Sequence, residues 1–338
     1  MDLSDITVVI LSRGREAVLR KTLEYWNQFD ISVMVFHNTE FPIDTKDFTT
    51  RISYNVSNLN YGERCHQIPK LLKTQYAILS ADDEFYLPSA LLKMKAILDS
   101  NPDLQSVGGQ TVAVGKYGPI KTGYFAYSNM IGYKNNFESP VDRLNSHFNS
   151  QNGYLNGGMY RLMRSNLMSQ MLQAFGVVSK FTTPYIYEIT GEFIVNAYGK
   201  SIYTPDLYWL RNWVVAPVNN AKWDRRLYVK EWATSEKYSK QFESWRILLI
   251  SLLKIEEAEL RNILDNFLCI RFRSEEREIA QMSRKKINVS PYFKYILRLV
   301  FSPKSLPSNL RKTLERIKQK QIDFDDKEIN NALTFLFS

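Results

Sequence analysis

The chain has 338 residues, 44% hydrophobic and 13% aromatic, which is enough for a real core in one large or two modest domains. Two cysteines, Cys65 and Cys269, exclude a disulfide framework and a cysteine metal cluster and indicate a reducing compartment. The three histidines form no metal-ligand spacing and are interpreted as structural. The acidic N-terminus lacks a signal-peptide pattern, and the longest apolar stretch, Ile247 to Leu253, is too short to span a bilayer. We therefore expect a cytoplasmic protein, either soluble or peripheral at the inner face of the membrane.

The net charge of +9 is unevenly distributed. Residues 271 to 320 hold 14 Lys or Arg and 4 Asp or Glu, so this segment sums to +10 and the remainder of the chain to −1. The basicity therefore belongs to the C-terminal region and says little about the N-terminal one.

Strands and helices alternate along the first hundred residues. The β-branched run Ile6 to Leu11 predicts a buried strand, and Leu19, Leu23 and Trp26 recur at helical spacing. Further strands are predicted at 32–36, 52–56 and 76–80, with helices ending near 72 and beginning near 88. This alternation predicts an α/β fold with a mostly parallel sheet flanked by helices.

Three consecutive carboxylates, Asp82, Asp83 and Glu84, follow the apolar strand at 76–80. Open α/β sheets bind ligands at the carboxyl ends of their strands, and adjacent acids repel one another unless a cation or hydrogen-bond donors share the site. Carboxylate oxygens suit Mg²⁺ or Mn²⁺, which such sites commonly share with a substrate phosphate. The alternative is an acidic turn that caps the helix beginning near Pro88.

Several motifs together resemble the N-terminal half of a GT-A-fold glycosyltransferase of the family-2 kind, particularly bacterial enzymes that build capsules and lipopolysaccharide. They are the first strand with its Arg-containing loop (ITVVILSRGR), the Asn-x-Gly loop (NLNYGERC), and the acid motif with the following helix (SADDEFYLPSALLKM). The resemblance covers roughly residues 5 to 212. It implies a GT-A nucleotide-diphospho-sugar transferase fold, a nucleotide-sugar donor, and a divalent cation, Mn²⁺ or Mg²⁺, held by Asp83, Glu84 and Asp82.

The resemblance also implies which residues bind the donor. They are Ser12, Arg13, Arg15, Asn38, Asn60, Gly62, Arg64, Asp82, Asp83, Gly157 and Gly158. Arginine suits phosphates because its guanidinium presents a planar fork of donors, although Arg13 and Arg15 also fit a solvated loop. The glycine pair lets backbone approach a ligand, or it simply ends a loop.

Two positions depart from the family pattern. Glu84 stands where the third Asp usually lies. His37 and Asn38 stand at the end of the second strand, where the family often has an Asp that binds the base.

The general base is expected between residues 185 and 193. The family pattern is an acid, a helix, a Gly, a strand and a Pro; counted back from Gly199, Glu188 takes the place of the acid, which would accept the proton of the acceptor hydroxyl. Glu192 is the second candidate, since it starts the helix more naturally and shares one helical face with Glu188. A base opposite the leaving group predicts inversion of the anomeric configuration.

An aromatic cluster precedes this segment. Tyr117, Tyr124, Phe125, Tyr127 and Tyr133 either stack on sugar rings or belong to an ordinary core.

The domain boundary is predicted at residue 212, with a catalytic domain at 1–212 and a mainly helical, basic region at 213–338. The predicted helix at 287–301 mixes aromatic with basic residues, and the stretch 310–321 adds more Lys and Arg, which suits an anionic membrane surface and a lipid-linked acceptor. The alternative is a helical cap or homo-oligomer interface with a solvated basic face. Nucleic acid is not expected, because no recognition motif accompanies the charge.

Two functions remain open from the sequence. One is a metal-dependent glycosyltransferase that transfers a sugar to a glycan or lipid-linked acceptor in bacterial surface polysaccharide synthesis. The other is a non-catalytic nucleotide- or glycan-binding protein on the same scaffold, with a basic partner-binding tail.

Overall fold

A computed structural model of the chain describes residues 2–117, 120–149, 157–181, 185–212, 229–284 and 308–337. The strands are β1 (Leu3–Arg13), β2 (Ile31–Asn38), β3 (Ile52–Val56), β4 (Tyr76–Ser80), β5 (Glu84–Tyr86), β6 (Leu104–Tyr117), β7 (Ile120–Ala126), β8 (Lys134–Asn135), β9 (Leu162–Arg164), β10 (Lys200–Asn212) and β11 (Ser308–Asn309). The helices are α1 (Glu16–Trp26), α2 (Tyr61–Leu71), α3 (Pro88–Ser100), α4 (Pro140–Phe148), α5 (Ser165–Val178), α6 (Tyr185–Tyr198), α7 (Val229–Thr234), α8 (Ser239–Leu253), α9 (Glu257–Arg284), α10 (Leu310–Gln319) and α11 (Asp326–Phe337).

The described strands form one mixed sheet in the order β11-β7-β6-β9-β4-β1-β2-β3, and β10 pairs with β5, β6 and β8. Strands β3, β2, β1 and β4 are parallel. Helix α1 joins β1 to β2 and helix α2 joins β3 to β4, whereas residues 39–51 join β2 to β3 without a helix. Beyond β4 the three-residue strand β9 is antiparallel to both β4 and β6, and β7 is antiparallel to β6. The predicted α/β architecture with a helical C-terminal region is confirmed, but the sheet is mixed rather than mostly parallel, because short strands and a hairpin extend it on one side.

Both faces of the sheet are buried. Successive residues of β1 illustrate this, since Val8 and Ile10 pack into the core on one face and Val9 into the core on the other. Burial on both faces explains why the β-branched run of β1 carries no polar alternation.

The helices of the C-terminal region complete both cores. Trp232 of α7 and Trp245 of α8 are fully buried in one core with Phe193 of α6. Leu310 of α10 and Ile329 of α11 are buried in the other core. The boundary at residue 212 stays a prediction, and the described helices beyond it share hydrophobic cores with the residues before it.

Helix α10 uses its apolar face inside the protein. Leu310, Thr313 and Ile317 are buried, and the Thr313 hydroxyl donates to the carbonyl of Gly123 in β7 at 2.8 Å. Lys and Arg side chains occupy the exposed face. The predicted helix at 287–301 lies outside the described residues. None of the described helices combines the length and apolar character that a membrane crossing needs.

Helix α3 is capped by a carboxylate from α11 and not by the acid triplet. Leu87 at its N-cap has no side-chain hydrogen bond, and no acid lies in its first turn. Instead Glu328 accepts hydrogen bonds from the Ser89 backbone N–H at 3.0 Å and the Ser89 hydroxyl at 2.6 Å. This contact spans 239 residues of sequence, and it leaves the three acids free for another role.

We expect Glu328→Ala to lower the free energy of unfolding by about 1–2 kcal/mol, the usual cost of losing a helix cap. Glu315→Ala is the matched control, because Glu315 pairs with Arg311 one turn away on the exposed face of α10 and should cost at most about 0.5 kcal/mol. Urea denaturation of both variants gives the comparison. Equal losses in the two variants would contradict the capping role.

Candidate functional site

The three acids lie buried at the carboxyl end of β4. Asp82 and Asp83 form the turn between β4 and β5, and Glu84 is the first residue of β5. Their exposed fractions are only 4%, 6% and 5%. Because β1 and β4 are parallel neighbours, the loop after β1 reaches the same edge of the sheet. Arg15 and Ser12 thereby meet the acids.

Arg15 bridges the first two acids. Its Nη1 lies 3.0 Å from Asp82 Oδ1, and its Nη2 donates to Asp83 Oδ2 at 2.5 Å. The Ser12 hydroxyl donates to Asp82 Oδ2 at 2.6 Å. Gly14 precedes Arg15 with a φ of +56°, a conformation that favours glycine and lets the loop turn back over β4.

Burial has the largest effect on the pKa values of Asp82 and Glu84. Desolvation raises the pKa of Asp82 to about 6, although Arg15 opposes the shift. Desolvation likewise raises the pKa of Glu84 to about 8, opposed by Arg211 and reinforced by Asp83. Burial therefore disfavours the charged form of these two carboxyls, and a cation bound beside them would favour it.

Arg64 and Asn38 hold the strand ends together. The Arg64 guanidinium is buried and donates from Nη1 to the carbonyls of Ser12, at 2.5 Å, and Phe36, at 2.8 Å. The Asn38 amide donates to the Leu59 carbonyl at 2.9 Å. Both residues lie at the edge of the sheet that holds the acid triplet, and they position the loops after β1 and β2.

Three other residues predicted to bind the nucleotide-sugar donor lie at the margin of the acid cluster. The Arg13 side chain is exposed. Asn60 caps α2, with its side chain accepting from the Glu63 backbone N–H at 3.0 Å. Gly62 packs against α5, where an added Cβ would lie 2.2 Å from Ser179 Cβ. The structure therefore explains Asn60 and Gly62 by a helix cap and a helix contact.

Strand β10 brings a second cation that the sequence did not single out as a site residue. Arg211 lies opposite Glu84 in the antiparallel β5–β10 pair, with its Nε 3.4 Å from Glu84 Oε1. The neighbouring Asn212 places its Nδ2 3.5 Å from Asp83 Oδ2. No sequence pattern signals these contacts, because they depend on which strand pairs with β5.

The three acids differ in how fully their oxygens are engaged. Both Asp82 oxygens are already bonded, whereas Glu84 has the Trp209 indole and Arg211 as its neighbours. Among the described residues no three His, Cys, Asp or Glu side chains gather as a complete metal site. Mg²⁺ typically takes one or two carboxylates and completes its shell with substrate phosphates and water. Asp83 and Glu84 fit that incomplete ligand set, and Asp82 fits it less well.

Glu192 of α6 is bonded at both oxygens. Its Oε1 accepts from the Gly158 backbone N–H at 2.7 Å, and its Oε2 lies 2.9 Å from His147 Nε2. Oε2 also accepts from Asn196 Nδ2 at 3.5 Å, and His147 Nδ1 lies 3.0 Å from the Tyr133 hydroxyl. An added Cβ at Gly158 would lie 2.1 Å from Glu192 Oε2. Glu192 therefore anchors the glycine turn to α6.

His147 is fully buried in this network. Burial lowers the pKa of His147, although the Glu192 carboxylate opposes the shift. Arg161, also fully buried, donates from Nε to the Tyr203 hydroxyl at 3.1 Å. Charge at Glu192 is thus stabilised by buried neighbours rather than by solvent.

Glu188 lies one helical turn before Glu192 and is only half-buried. Its charge raises the pKa values of Tyr127 and Tyr160, after the larger effect of their burial. The Tyr127 ring stacks on Trp209 at 6.0 Å and lies against the Arg211 guanidinium at 5.9 Å. The Glu188 charge therefore acts on Tyr127, which in turn contacts Arg211.

The other residues of the predicted aromatic cluster lie in different parts of the structure. Tyr133 contacts His147, whereas Phe125 lies under Lys320 of the C-terminal region at 5.3 Å. Tyr124 is exposed. The side chain of Tyr117 lies outside the described residues. Among the described members of this aromatic group, Tyr127 reaches the acid cluster by its contact with Arg211.

We expect Glu192→Ala to lower the free energy of unfolding by about 2–4 kcal/mol, because it leaves a buried histidine and a buried N–H without their acceptor. Glu188→Ala is the matched control on the same helix and should cost less, since Glu188 is half-buried. Urea denaturation compares the two variants. A larger loss for Glu188→Ala would contradict the anchoring role of Glu192.

No protein-family model matches this sequence. No curated protein matches it either. Among solved structures, S. aureus TarS 1–349 aligns with a TM-score of 0.50 and 12% identity over 99% of this chain and 90% of that one.

Two further structures align less well. A longer S. aureus TarS structure aligns at a TM-score of 0.49 and 13% identity, and this chain spans 55% of its length while 99% of this chain is covered. HddC from Yersinia pseudotuberculosis aligns at 0.25 and 13% identity, over 32% of this chain and 59% of that one. At such identities the likeness to TarS 1–349 concerns the fold alone, and in the fold this chain is similar to a glycosyltransferase.

Proposed function

We propose that this protein is a glycosyltransferase that moves a sugar from a nucleotide-sugar donor to an acceptor. The observation that carries the proposal is the buried acid triplet at the tip of β4, held between Arg15 and Arg211. Desolvated acids beside arginine forks suit a ligand that brings phosphates and a cation together. The fold supports the same function, since TarS is a wall teichoic acid glycosyltransferase.

The donor would lie across the loop after β1 and the acid turn. Arg15, whose Nη1 and Nη2 bridge Asp82 and Asp83, would lie beside the diphosphate and supply positive charge, and Ser12 would hold Asp82 in place. Asp83 and Glu84 would hold Mn²⁺ or Mg²⁺, which supplies positive charge for the leaving phosphate oxygen. The neutral Asn38 and His37 at the end of β2 are the residues that would approach the base.

Glu188 is the proposed general base. Its rival Glu192 has both oxygens engaged, by Gly158 and His147, and would have to release one of them to accept a proton. Glu188 is half-buried, so its partly exposed side chain can meet an acceptor hydroxyl. A base that attacks opposite the leaving group makes the reaction inverting.

The acceptor would be a glycan or lipid-linked glycan of bacterial surface polysaccharide synthesis, such as capsule or lipopolysaccharide. The exposed basic face of α10 would lie against an anionic membrane surface, or against a second copy of the chain. Because the apolar face of α10 is buried, any membrane contact of this helix would be electrostatic rather than inserted.

We expect Mn²⁺ together with one nucleoside diphosphate to raise the melting temperature by several degrees, because ligands that bind only the folded state stabilise it. A thermal-shift panel of uridine, guanosine, cytidine and adenosine diphosphates, with and without metal, measures this. Asp83→Asn should abolish the metal-dependent part of the shift. Stabilisation that is the same with a chelator present would argue against the metal, and no shift from any nucleotide would argue for a protein without donor chemistry.

We expect Glu188→Gln to lower sugar transfer by about 10²- to 10⁴-fold, the usual contribution of a general base, while nucleotide affinity stays unchanged. Turnover with the donor found in the panel, and the anomeric configuration of the product by NMR, are the measurements. Glu192→Gln is the control on the same helix face. Full transfer by Glu188→Gln, or a retained configuration, would overturn this assignment.

A further inference from the structure

Arg211 stands at the end of β10, on the same face of the sheet as the acid motif. Directly opposite residues of an antiparallel pair present their side chains on one face, and Arg211 is paired with Glu84. Its neighbour Asn212 contacts Asp83, which Arg15 contacts from the β1 loop. Arg15 and Arg211 therefore approach the acid triplet from two sides.

The Arg211 guanidinium is held in place by several contacts. Its Nε lies 3.4 Å from Glu84 Oε1, and its Nη1 donates to the Tyr127 hydroxyl. The group also lies over the rings of Trp209, at 5.7 Å, and Tyr127, at 5.9 Å. These contacts fix the plane of the fork in advance, so that little side-chain entropy is lost when a ligand binds.

Part of the Arg211 side chain remains accessible. The Arg211 side chain is 41% exposed, whereas the Glu84 side chain beneath it is 7% exposed. Neutralising a buried carboxylate needs no exposed fork, and a lysine or a buried arginine would serve as well. An arginine that pairs with one buried carboxylate and stays partly exposed to solvent can bind a second anion.

We propose that Arg211 binds the diphosphate of the nucleotide, on the opposite side from Arg15. This assignment rests on the proposed function. The leaving diphosphate gains negative charge as the glycosidic bond to the donor breaks, and a preorganised guanidinium stabilises that charge without reorganising. Arg211 is then a catalytic residue that touches the leaving group, while Tyr127 and Trp209 are positioning residues.

The competing role is structural, in which Arg211 only neutralises Glu84. The two roles predict different behaviour when Glu84 also loses its charge. If Arg211 only balances Glu84, the double variant Arg211→Gln/Glu84→Gln regains the nucleotide affinity of the Glu84→Gln variant. If Arg211 binds phosphate, the double variant stays weak.

The experiment measures dissociation constants by calorimetry in saturating Mn²⁺, and it compares the double variant with Glu84→Gln, so that loss of a metal ligand at Glu84 is common to both. The probes are the nucleoside diphosphate that stabilises the wild-type protein and the matching nucleoside without phosphate. We expect Arg211→Gln to weaken the diphosphate by about 10- to 100-fold, as a charge-assisted hydrogen-bond pair predicts, with nucleoside affinity unchanged. The double variant should show the same loss relative to Glu84→Gln, and Arg211→Lys should lose less.

Arg311→Gln is the matched control, because Arg311 is an 88% exposed arginine on α10, and it should leave both affinities unchanged. Equal weakening of nucleoside and diphosphate by Arg211→Gln, restoration in the double variant, or no effect at all would overturn the assignment. In each of those cases wild-type binding would persist, so the proposed function would stand. Absence of wild-type binding to every nucleoside diphosphate would overturn both.

Discussion

The burial of three carboxylates at the tip of β4 is the main electrostatic constraint on this structure. Their burial raises the pKa values of Asp82 and Glu84, so the fold carries a local electrostatic cost that it does not fully offset. Arg15 reaches them from the β1 loop and Arg211 from the end of β10. The parallel pairing of β1 with β4 and the antiparallel pairing of β10 with β5 are the features that deliver these cations.

The two acids of α6, Glu188 and Glu192, lie one helical turn apart, yet their surroundings differ. Glu192 is enclosed by the Gly158 N–H and by His147, and it holds the glycine turn against the helix. Glu188 is half-buried, and its charge acts on Tyr127, which contacts Arg211. Two like residues one turn apart on the same helix thus have different surroundings.

The C-terminal region contributes to the scaffold that positions the site. Glu328 of α11 caps α3, the helix that follows the acid motif, and thereby takes the role that the acids themselves would otherwise play. The Trp245 indole N–H donates to the Thr190 hydroxyl at 3.0 Å, on the same helix as Glu188 and Glu192. Residues far apart in sequence therefore support both the acid motif and helix α6.

The sequence by itself determined the elements with strong local signals. Strands β3 and β4 begin and end where the apolar runs predict, and Asp82, Asp83, Ser12 and Arg15 could be placed at one sheet edge because parallel strands share a direction. The tertiary structure alone decided that Arg211 faces Glu84, that His147 faces Glu192, and that Glu328 caps α3. Each of these pairs joins segments whose proximity depends on strand order and on helix packing. Local periodicity reports which face of an element is apolar, and it carries no information on which distant element will cover that face.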